Sequence, residues 1–392
     1  MNKIISVSII FLIVALLIVQ RTHAQANSCL IGDANQDGIV SLTDFAVWRQ
    51  IYLSGVVSPS PSSPPSTLEC PPFPGTNTAN TMTYNCRLFA DNSPWNTPIA
   101  STATVDPASA EMVTSGNPGS LSYAFAQEGA QGFDIQGTDY GVPLYYADGA
   151  SPKVNVMDKF GWWAGFTAAP MPTQATPAVG TDHHMVIWDV PNKTLYEYWD
   201  MNKNTDGSWT AGYGIMFPAD GTGYQAGAWL NSARAYGGSA VGGIIRYEEM
   251  KAGEIKHALS LAYPYTRGKA YARGKGKDGI TDNIASHSDN QAAANRNTPA
   301  NIPEGARLRL KATVDIAARC GTKQSCVIIA TALKKYGAYM VDTSGKRGFM
   351  PAEVLAGKNV SWSGVLSQND IVTLLAEDFE IMSLPNDLTS AS

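Results

Sequence analysis

Residues 33 to 44 carry oxygen-bearing groups at the spacing that a calcium ion requires. Calcium binds about six to eight oxygen ligands, and a loop of the EF-hand kind supplies them from positions 1, 3, 5, 7, 9 and 12. Gly38 occupies position 6, where the sharp turn of such a loop favours glycine. We therefore expect Ca²⁺ to bind a small N-terminal loop through Asp33, Asn35, Asp37, the backbone carbonyl of Ile39, Ser41 and Asp44.

This loop departs from an ordinary EF-hand at its last position and in its flanking helices. Position 12 is Asp44 rather than Glu, no helix is expected before the loop, and one amphipathic helix is expected from Phe45 to Leu53. The segment, residues 27–54, resembles a type I dockerin repeat, and the resemblance implies calcium binding. Dockerins of that family contain two repeats and bind a cohesin on a scaffold protein. This chain contains one repeat, so a cohesin-like scaffold is a partner implied by half of the usual module.

Paired carboxyl groups form a second set of residues that could do chemistry. Hydrolysis of a glycosidic bond usually needs one carboxylic acid as proton donor and a second carboxylate as base or nucleophile. Glu197 lies between aromatic residues in the sequence. An apolar neighbourhood would raise its pKa toward that of a general acid. Asp182 and Asp189 lie on the neighbouring arm of the same expected hairpin. Glu197 with Asp182 or Asp189 is the favoured pair and predicts a hydrolase that cleaves a polysaccharide.

Histidine supports an alternative chemistry, the cleavage of a polysaccharide by elimination. A lyase of this kind uses His or Tyr as base, with an arginine, an asparagine or a metal to neutralise the uronate carboxylate. The residues that could fill these roles are His184, His287, Arg234 and Tyr236. This hypothesis requires a fold that brings them together, because no spacing motif links them.

Tryptophan is concentrated in the middle of the chain, at Trp162, Trp163, Trp188, Trp199, Trp209 and Trp229. Aromatic rings pack on the apolar faces of sugars, so Trp188 and Trp199, with Arg234 and Tyr236, are the expected substrate-binding residues. The same rings could also fill a core. A third hypothesis is therefore a protein without catalytic activity that binds glycans or adheres to a surface. An exposed aromatic row without a close carboxylate pair would favour it.

The elements that must position these residues are mainly β-strands. Residues 184–190 and 195–201 alternate in polarity around the turn at 191–193 and predict a hairpin, and residues 208–217 predict a further strand. Helices are expected over residues 325–336 and 368–376, with a short helical turn over 247–253. The expected fold class is mainly β, sandwich or jelly-roll-like, with a few peripheral helices.

Domain organisation follows from changes in composition along the 392 residues. Residues 1–26 contain Lys3, a long apolar run and Ala24-Gln25-Ala26, which predict a cleavable signal peptide and an extracytoplasmic, secreted or cell-surface protein. Residues 55–80 form a Pro/Ser-rich linker, residues 81–386 the large domain and residues 387–392 a tail. After cleavage of the signal peptide, no contact with a membrane is expected.

The cysteines and the net charge indicate which disulfides and which kind of partner to expect. Five cysteines in an exported chain predict disulfides, with Cys320–Cys326 as the first pair and one pair among Cys29, Cys70 and Cys86. The net charge of −5, without a long basic run, argues against a nucleic-acid partner and leaves a polysaccharide or other glycan as the expected one.

Three segments of the large domain resemble secreted bacterial proteins of no established activity. They are Ser93-Pro94-Trp95-Asn96-Thr97-Pro98, Asp182-His183-His184-Met185 and Ile302-Pro303-Glu304-Gly305-Ala306-Arg307. The resemblance implies an extracytoplasmic domain.

Overall fold

The computed structural model describes residues 70–75, 84–224, 232–268, 270–271, 274–275, 282–285, 288, 298–345, 347–383 and 388–389. The chain divides into two compact units, Met1–Pro65 and Ser66–Ser392, and all described residues belong to the second. The expected signal peptide, calcium loop and Pro/Ser linker up to residue 69 lie outside the described residues, as do Cys29, Trp229 and His287.

Short strands dominate the described part of the chain, as expected of a mainly β protein. The strands are β1 Asp134–Gln136, β2 Val142–Ala147, β3 Lys153–Asp158, β4 Phe166–Pro170, β5 Met185–Asp189, β6 Thr194–Trp199, β7 Asn202–Lys203, β8 Trp209–Ala211, β9 Tyr213–Pro218, β10 Leu259–Tyr263, β11 Ala270–Tyr271, β12 Gly274–Lys275, β13 Asp282–Asn283, β14 Arg307–Leu310, β15 Ala338–Thr343, β16 Phe349–Pro351, β17 Glu353–Val354, β18 Phe379–Ile381 and β19 Leu388–Thr389. The helices are α1 Ser109–Val113, α2 Leu121–Gln127, α3 Tyr247–Ala252, α4 Ile316–Cys320 and α5 Gln324–Lys335, with a 3₁₀ turn at Ala376–Asp378.

Three larger sheets carry the architecture. Their strand orders are β1-β16-β10-β15-β14-β18, β17-β2-β5-β6-β9 and β4-β3-β8-β7, and two short ribbons pair β11 with β19 and β12 with β13. Parallel pairs, such as β2 with β5 and β10 with β15, occur beside antiparallel ones. The sheets are therefore mixed, whereas a jelly roll is antiparallel throughout.

The five-stranded sheet lies between two hydrophobic cores. Val186 and Trp188 of β5 face a core shared with Tyr339 and Val341 of β15. The alternate residues of β5, Met185 and Ile187, face a second core shared with the four-stranded sheet. Helix α5 packs on the far side of the six-stranded sheet in a third core. Since successive side chains of a strand point to opposite faces, a strand covered on both sides reads as a continuous apolar run, as β5 does.

Several expected elements are confirmed. Strands β5 and β6 form the predicted antiparallel hairpin, with Val186 opposite Glu197. Helix α5 matches the helix expected at 325–336, and α3 matches the helical turn expected at 247–253. Helix α3 ends at Ala252, and the next residue, Gly253, has a left-handed φ of 80° that suits glycine.

Two expected elements are wrong. Residues 208–217 are not one strand, because the chain leaves the four-stranded sheet after β8, turns at Gly212 and enters the five-stranded sheet as β9. A Cβ at Gly212 would lie 2.6 Å from the Trp199 ring, so close packing explains this glycine. Residues 368–376 form turns instead of a helix, and the Asp370 carboxylate bonds to Ser325 and the Ser367 N–H rather than capping a helix.

Two disulfides close loops in the described part of the chain. The expected Cys320–Cys326 bond is present, and Cys70 pairs with Cys86. Among the described residues, no helix is long and apolar enough to cross a membrane.

Arg246 joins three separate parts of the large domain. Its buried guanidinium donates to the backbone carbonyls of Tyr84 and Cys86, and to the Tyr146 hydroxyl of β2 at 3.5 Å. The backbone of Arg246 also begins helix α3, where its N–H donates to Glu249 at 3.3 Å. Because a buried charge is costly unless hydrogen bonds and counter-charges compensate it, these partners depend on one another.

Replacing Arg246 with Met should therefore destabilise the domain strongly. We expect Arg246→Met to lower the free energy of unfolding by about 3–5 kcal/mol, because the carbonyls of Tyr84 and Cys86 lose their donor and the nearby carboxylates lose a compensating positive charge. Equilibrium urea unfolding would measure this. Lys193→Met is the control, since Lys193 pairs with Asp220 at the surface and should cost less than about 1 kcal/mol. Equal midpoints for the two variants would contradict the structural role of Arg246.

Candidate functional site

Glu197 lies on β6 of the five-stranded sheet, between β5 and the edge strand β9, and is wholly buried. One carboxylate oxygen accepts a short hydrogen bond from the Ser239 hydroxyl, and the other accepts from the Ala240 N–H at 2.6 Å. Both donors belong to the glycine-rich segment at 237–243, which is a turn packed so closely that a Cβ at Gly242 or Gly243 would touch Trp95. Glu197 thus anchors this turn to the sheet.

The pKa of Glu197 is raised to about 7. Burial is the main cause, because the ionised carboxylate loses its hydration, and the hydrogen bonds from Ser239, Ala240 and Val241 offset part of this effect. The positive charge of Arg234 also favours the ionised form. Near neutral pH the group therefore exists in both protonation states.

His184 and Arg234 lie on the same side of the sheet as Glu197. Both are buried, and the Arg234 Nε lies 3.1 Å from a carboxylate oxygen of Asp342. Burial, assisted by the charge of Arg234, lowers the pKa of His184 to about 3, so the imidazole is neutral at physiological pH. The imidazole also bonds to the backbone of Tyr198. The structure thus brings together two residues of the elimination hypothesis and adds Asp342, which no sequence pattern had singled out.

Of the two aspartates that the sequence pairs with Glu197, Asp189 lies apart from it. Asp189 is on the opposite face of the sheet, because it shares the alternation of Met185 and Ile187, and its carboxylate accepts from Asn192 at 3.0 Å. Asp182 precedes β5, where its backbone carbonyl accepts from the Asp200 N–H at 2.8 Å. The structure does not bring Asp189 together with Glu197 as one carboxyl pair.

The expected substrate-binding residues separate into buried and exposed ones. Trp188 is buried against Tyr84 and Tyr146, and Tyr236 is buried with its hydroxyl donating to the Ser239 carbonyl at 2.9 Å. Of the four expected substrate-binding residues, which are Trp188, Trp199, Arg234 and Tyr236, only Trp199 is partly exposed to solvent. His287, the remaining expected catalytic residue, lies outside the described residues.

Trp199 belongs to an exposed group of three rings, which we call the aromatic surface: Phe160, Trp162 and Trp199. Trp162 is 53% exposed and Phe160 is 44% exposed. The Trp162 and Trp199 rings are parallel within 5° with centroids 6.3 Å apart, and the Phe160 centroid lies 4.8 Å from that of Trp162. Sequence reasoning missed Phe160, although its position beside Gly161-Trp162-Trp163 was a usable signal.

Backbone hydrogen bonds hold the loop that carries two of these rings. The Asp158 carboxylate accepts from the N–H groups of Phe160 and Trp163, each at 2.9 Å. Slight burial would raise the pKa of Asp158, but the N–H groups of residues 160–163 lower it below its ordinary value. The Lys159 N–H donates to the Ala211 carbonyl, and its ammonium pairs with Asp200 at 2.6 Å. The exposed rings therefore sit on an ordered support.

Two glycines of the adjoining strands make room for indole rings. Gly212 lies against Trp199, and a Cβ at Gly214 would lie 2.5 Å from the Trp163 ring. Trp163 in turn packs on Phe166 and Tyr213 and so fills the space beneath the loop. Larger residues at positions 212 and 214 would displace these rings.

No cluster of metal-ligating side chains occurs within the described ranges. The expected Ca²⁺ ligands from Asp33 to Asp44 lie outside those ranges, so the calcium site stays a prediction.

The raised pKa of Glu197 predicts how stability depends on pH. The folded protein holds this proton up to a pH of about 7, whereas the unfolded chain releases it near the ordinary glutamate pKa of 4.5. Stability from this group is thus lost as the pH rises through about 7. We expect Glu197→Gln to remove a decline on the order of 3 kcal/mol between pH 5 and pH 8. Urea unfolding of both proteins at the two pH values tests this, and parallel pH profiles would contradict it.

Comparison with models of known protein families, with curated proteins and with solved structures gives no match to this chain.

Proposed function

We propose that the large domain binds a glycan through the aromatic surface of Phe160, Trp162 and Trp199. The observation that carries the proposal is the exposure of two large rings on a loop that backbone hydrogen bonds hold in place. Exposed aromatic residues cost solubility, so a group of them on an ordered support is typical of a binding surface. Sugars are suitable ligands because their rings offer apolar C–H faces to aromatic rings and hydroxyl groups to the polar residues around them.

The carboxylates beside the aromatic surface favour binding over cleavage. Asp158 has a lowered pKa and accepts backbone N–H groups with both oxygens, while Asp200 is paired with Lys159. Glycoside hydrolysis needs a carboxylic acid that still carries its proton. Asp158 does not meet that requirement because its pKa is lowered, and Asp200 is committed to the ion pair with Lys159.

Hydrolysis at Glu197 is the second candidate function. The pKa of about 7 supports it, because a general acid should be partly protonated near neutral pH. Against it, Glu197 is wholly buried and both of its oxygens accept hydrogen bonds from the protein. Elimination is the other catalytic alternative. The proximity of the neutral His184 to Arg234 supports it, whereas the burial of both residues argues against it.

The remaining expectations from the sequence complete the proposal. Two disulfides support an oxidising, extracytoplasmic location, in line with the expected signal peptide. The N-terminal repeat would bind Ca²⁺, and a cohesin-like scaffold stays its proposed partner.

Removing one exposed ring should weaken glycan binding without unfolding the domain. We expect Trp162→Ala to raise the Kd for the bound glycan by about tenfold or more, equivalent to about 1.4 kcal/mol. Isothermal titration calorimetry with a panel of soluble polysaccharides would find the ligand and measure the loss. Tyr140→Ala is the matched control, since Tyr140 is 38% exposed and its ring packs on Phe349 rather than on a ring of the aromatic surface. Equal losses for the two variants would refute the assignment of the site.

The catalytic alternative has its own test. We expect the protein to release no more reducing ends from polysaccharides than its Glu197→Gln variant, because Glu197 has no access to a substrate. Ultraviolet absorbance of unsaturated uronate products would be followed in the same samples. Release of reducing ends that Glu197→Gln abolishes would replace the binding proposal with hydrolysis, and a rise in absorbance would replace it with elimination.

A further inference from the structure

We infer that the aromatic surface recognises one or two sugar units of an uncharged, single glycan chain, and not the flat face of a crystalline polysaccharide. This inference rests on the proposed function and specifies its ligand. The shape of the three rings, the size of the surface and its charge each contribute to the argument.

The rings do not form a plane. The Phe160 ring is tilted by 38° from Trp162 and by 41° from Trp199. Parallel rings at the separation of Trp162 and Trp199 form an offset pair, in which one ring lies partly behind the other. The burial agrees, since Trp162 is 53% exposed and Trp199 is half-buried. A flat crystal face would meet one ring at a time, whereas a single chain can follow the bend between Phe160 and Trp162.

The surface is also short. The three centroids lie between 4.8 and 6.3 Å from one another, a span comparable with one sugar ring and its glycosidic oxygen. Beyond Trp199 the chain continues into Asp200, which is tied to Lys159 and to the Asn202 side chain. The stacking contacts are therefore confined to one or two sugar units.

The charge of the surface favours an uncharged ligand. Lys159 lies over the Phe160 ring at 5.2 Å and is neutralised by Asp200, while the Asp158 oxygens already accept backbone N–H groups. A uronate carboxylate would have to compete with Asp200 for the Lys159 ammonium. The ion pair between Lys159 and Asp200 can instead bond to hydroxyl groups.

Binding as a function of chain length tests the inference. The full chain would be titrated calorimetrically with disaccharides and hexasaccharides of glucose, xylose and N-acetylglucosamine, and with oligogalacturonides as the charged series. We expect at least one neutral disaccharide to bind within about threefold of its hexasaccharide, after correction for the number of binding registers. Oligogalacturonides and crystalline cellulose or chitin should bind at least about tenfold more weakly.

Two variants sharpen the test. Phe160→Ala and Trp162→Ala should each weaken the disaccharide and the hexasaccharide by the same factor, because both rings contact the same one or two units. Affinity that rises more than about tenfold from disaccharide to hexasaccharide would overturn the inference, as would a preference for crystalline or charged polymers. Those results would leave the proposed function standing, whereas no binding to any glycan would remove the proposed function itself.

Discussion

The buried guanidinium of Arg246 is the interaction on which much of the large domain depends. It gathers carbonyls from the segment at 84–86, the Tyr146 hydroxyl of the five-stranded sheet and the start of helix α3. Nearby, the buried Lys358 pairs with Glu353 at 2.7 Å and lies over the Tyr146 ring. His257 pairs with Glu249 at 3.0 Å in the same region. Charges removed from water must be matched locally, so these residues specify one arrangement of the sheet, the helix and the entering chain.

The polar residues that the sequence suggested for catalysis also connect separate elements in the interior of the domain. Glu197 bonds the central sheet to the glycine-rich turn, and Arg234 is paired with Asp342 of the neighbouring sheet. Their altered pKa values follow from burial, and burial also removes them from contact with a large substrate. The aromatic surface has the opposite character, because its rings are open to solvent while its carboxylates are committed to hydrogen bonds and an ion pair. Interior charge thus maintains the fold, and recognition by the exposed rings is our proposal.

The sequence pattern predicted a strand or helix correctly where the residues of that element alone carry the signal. The β5–β6 hairpin follows from alternation around a tight turn, and α5 follows from apolar spacing that ends before Gly337. The same reasoning failed at Gly212, where a continuous strand-like run passes from one sheet to another and the Trp199 ring packs against the glycine. It failed again at 368–376, where Asp370 bonds to Ser325 across 45 residues instead of capping a helix.

The sequence by itself determined that the large domain is mainly β and that Cys320 pairs with Cys326. These features depend on neighbours close along the chain or on composition. Tertiary structure decided which side chains share a site. It put Asp189 and Glu197 on opposite faces of one sheet, placed Asp342 beside Arg234, and set Phe160 and Trp162 against Trp199. Burial and the pairing of distant strands set those positions, and neither can be read from residue type and spacing along a single chain.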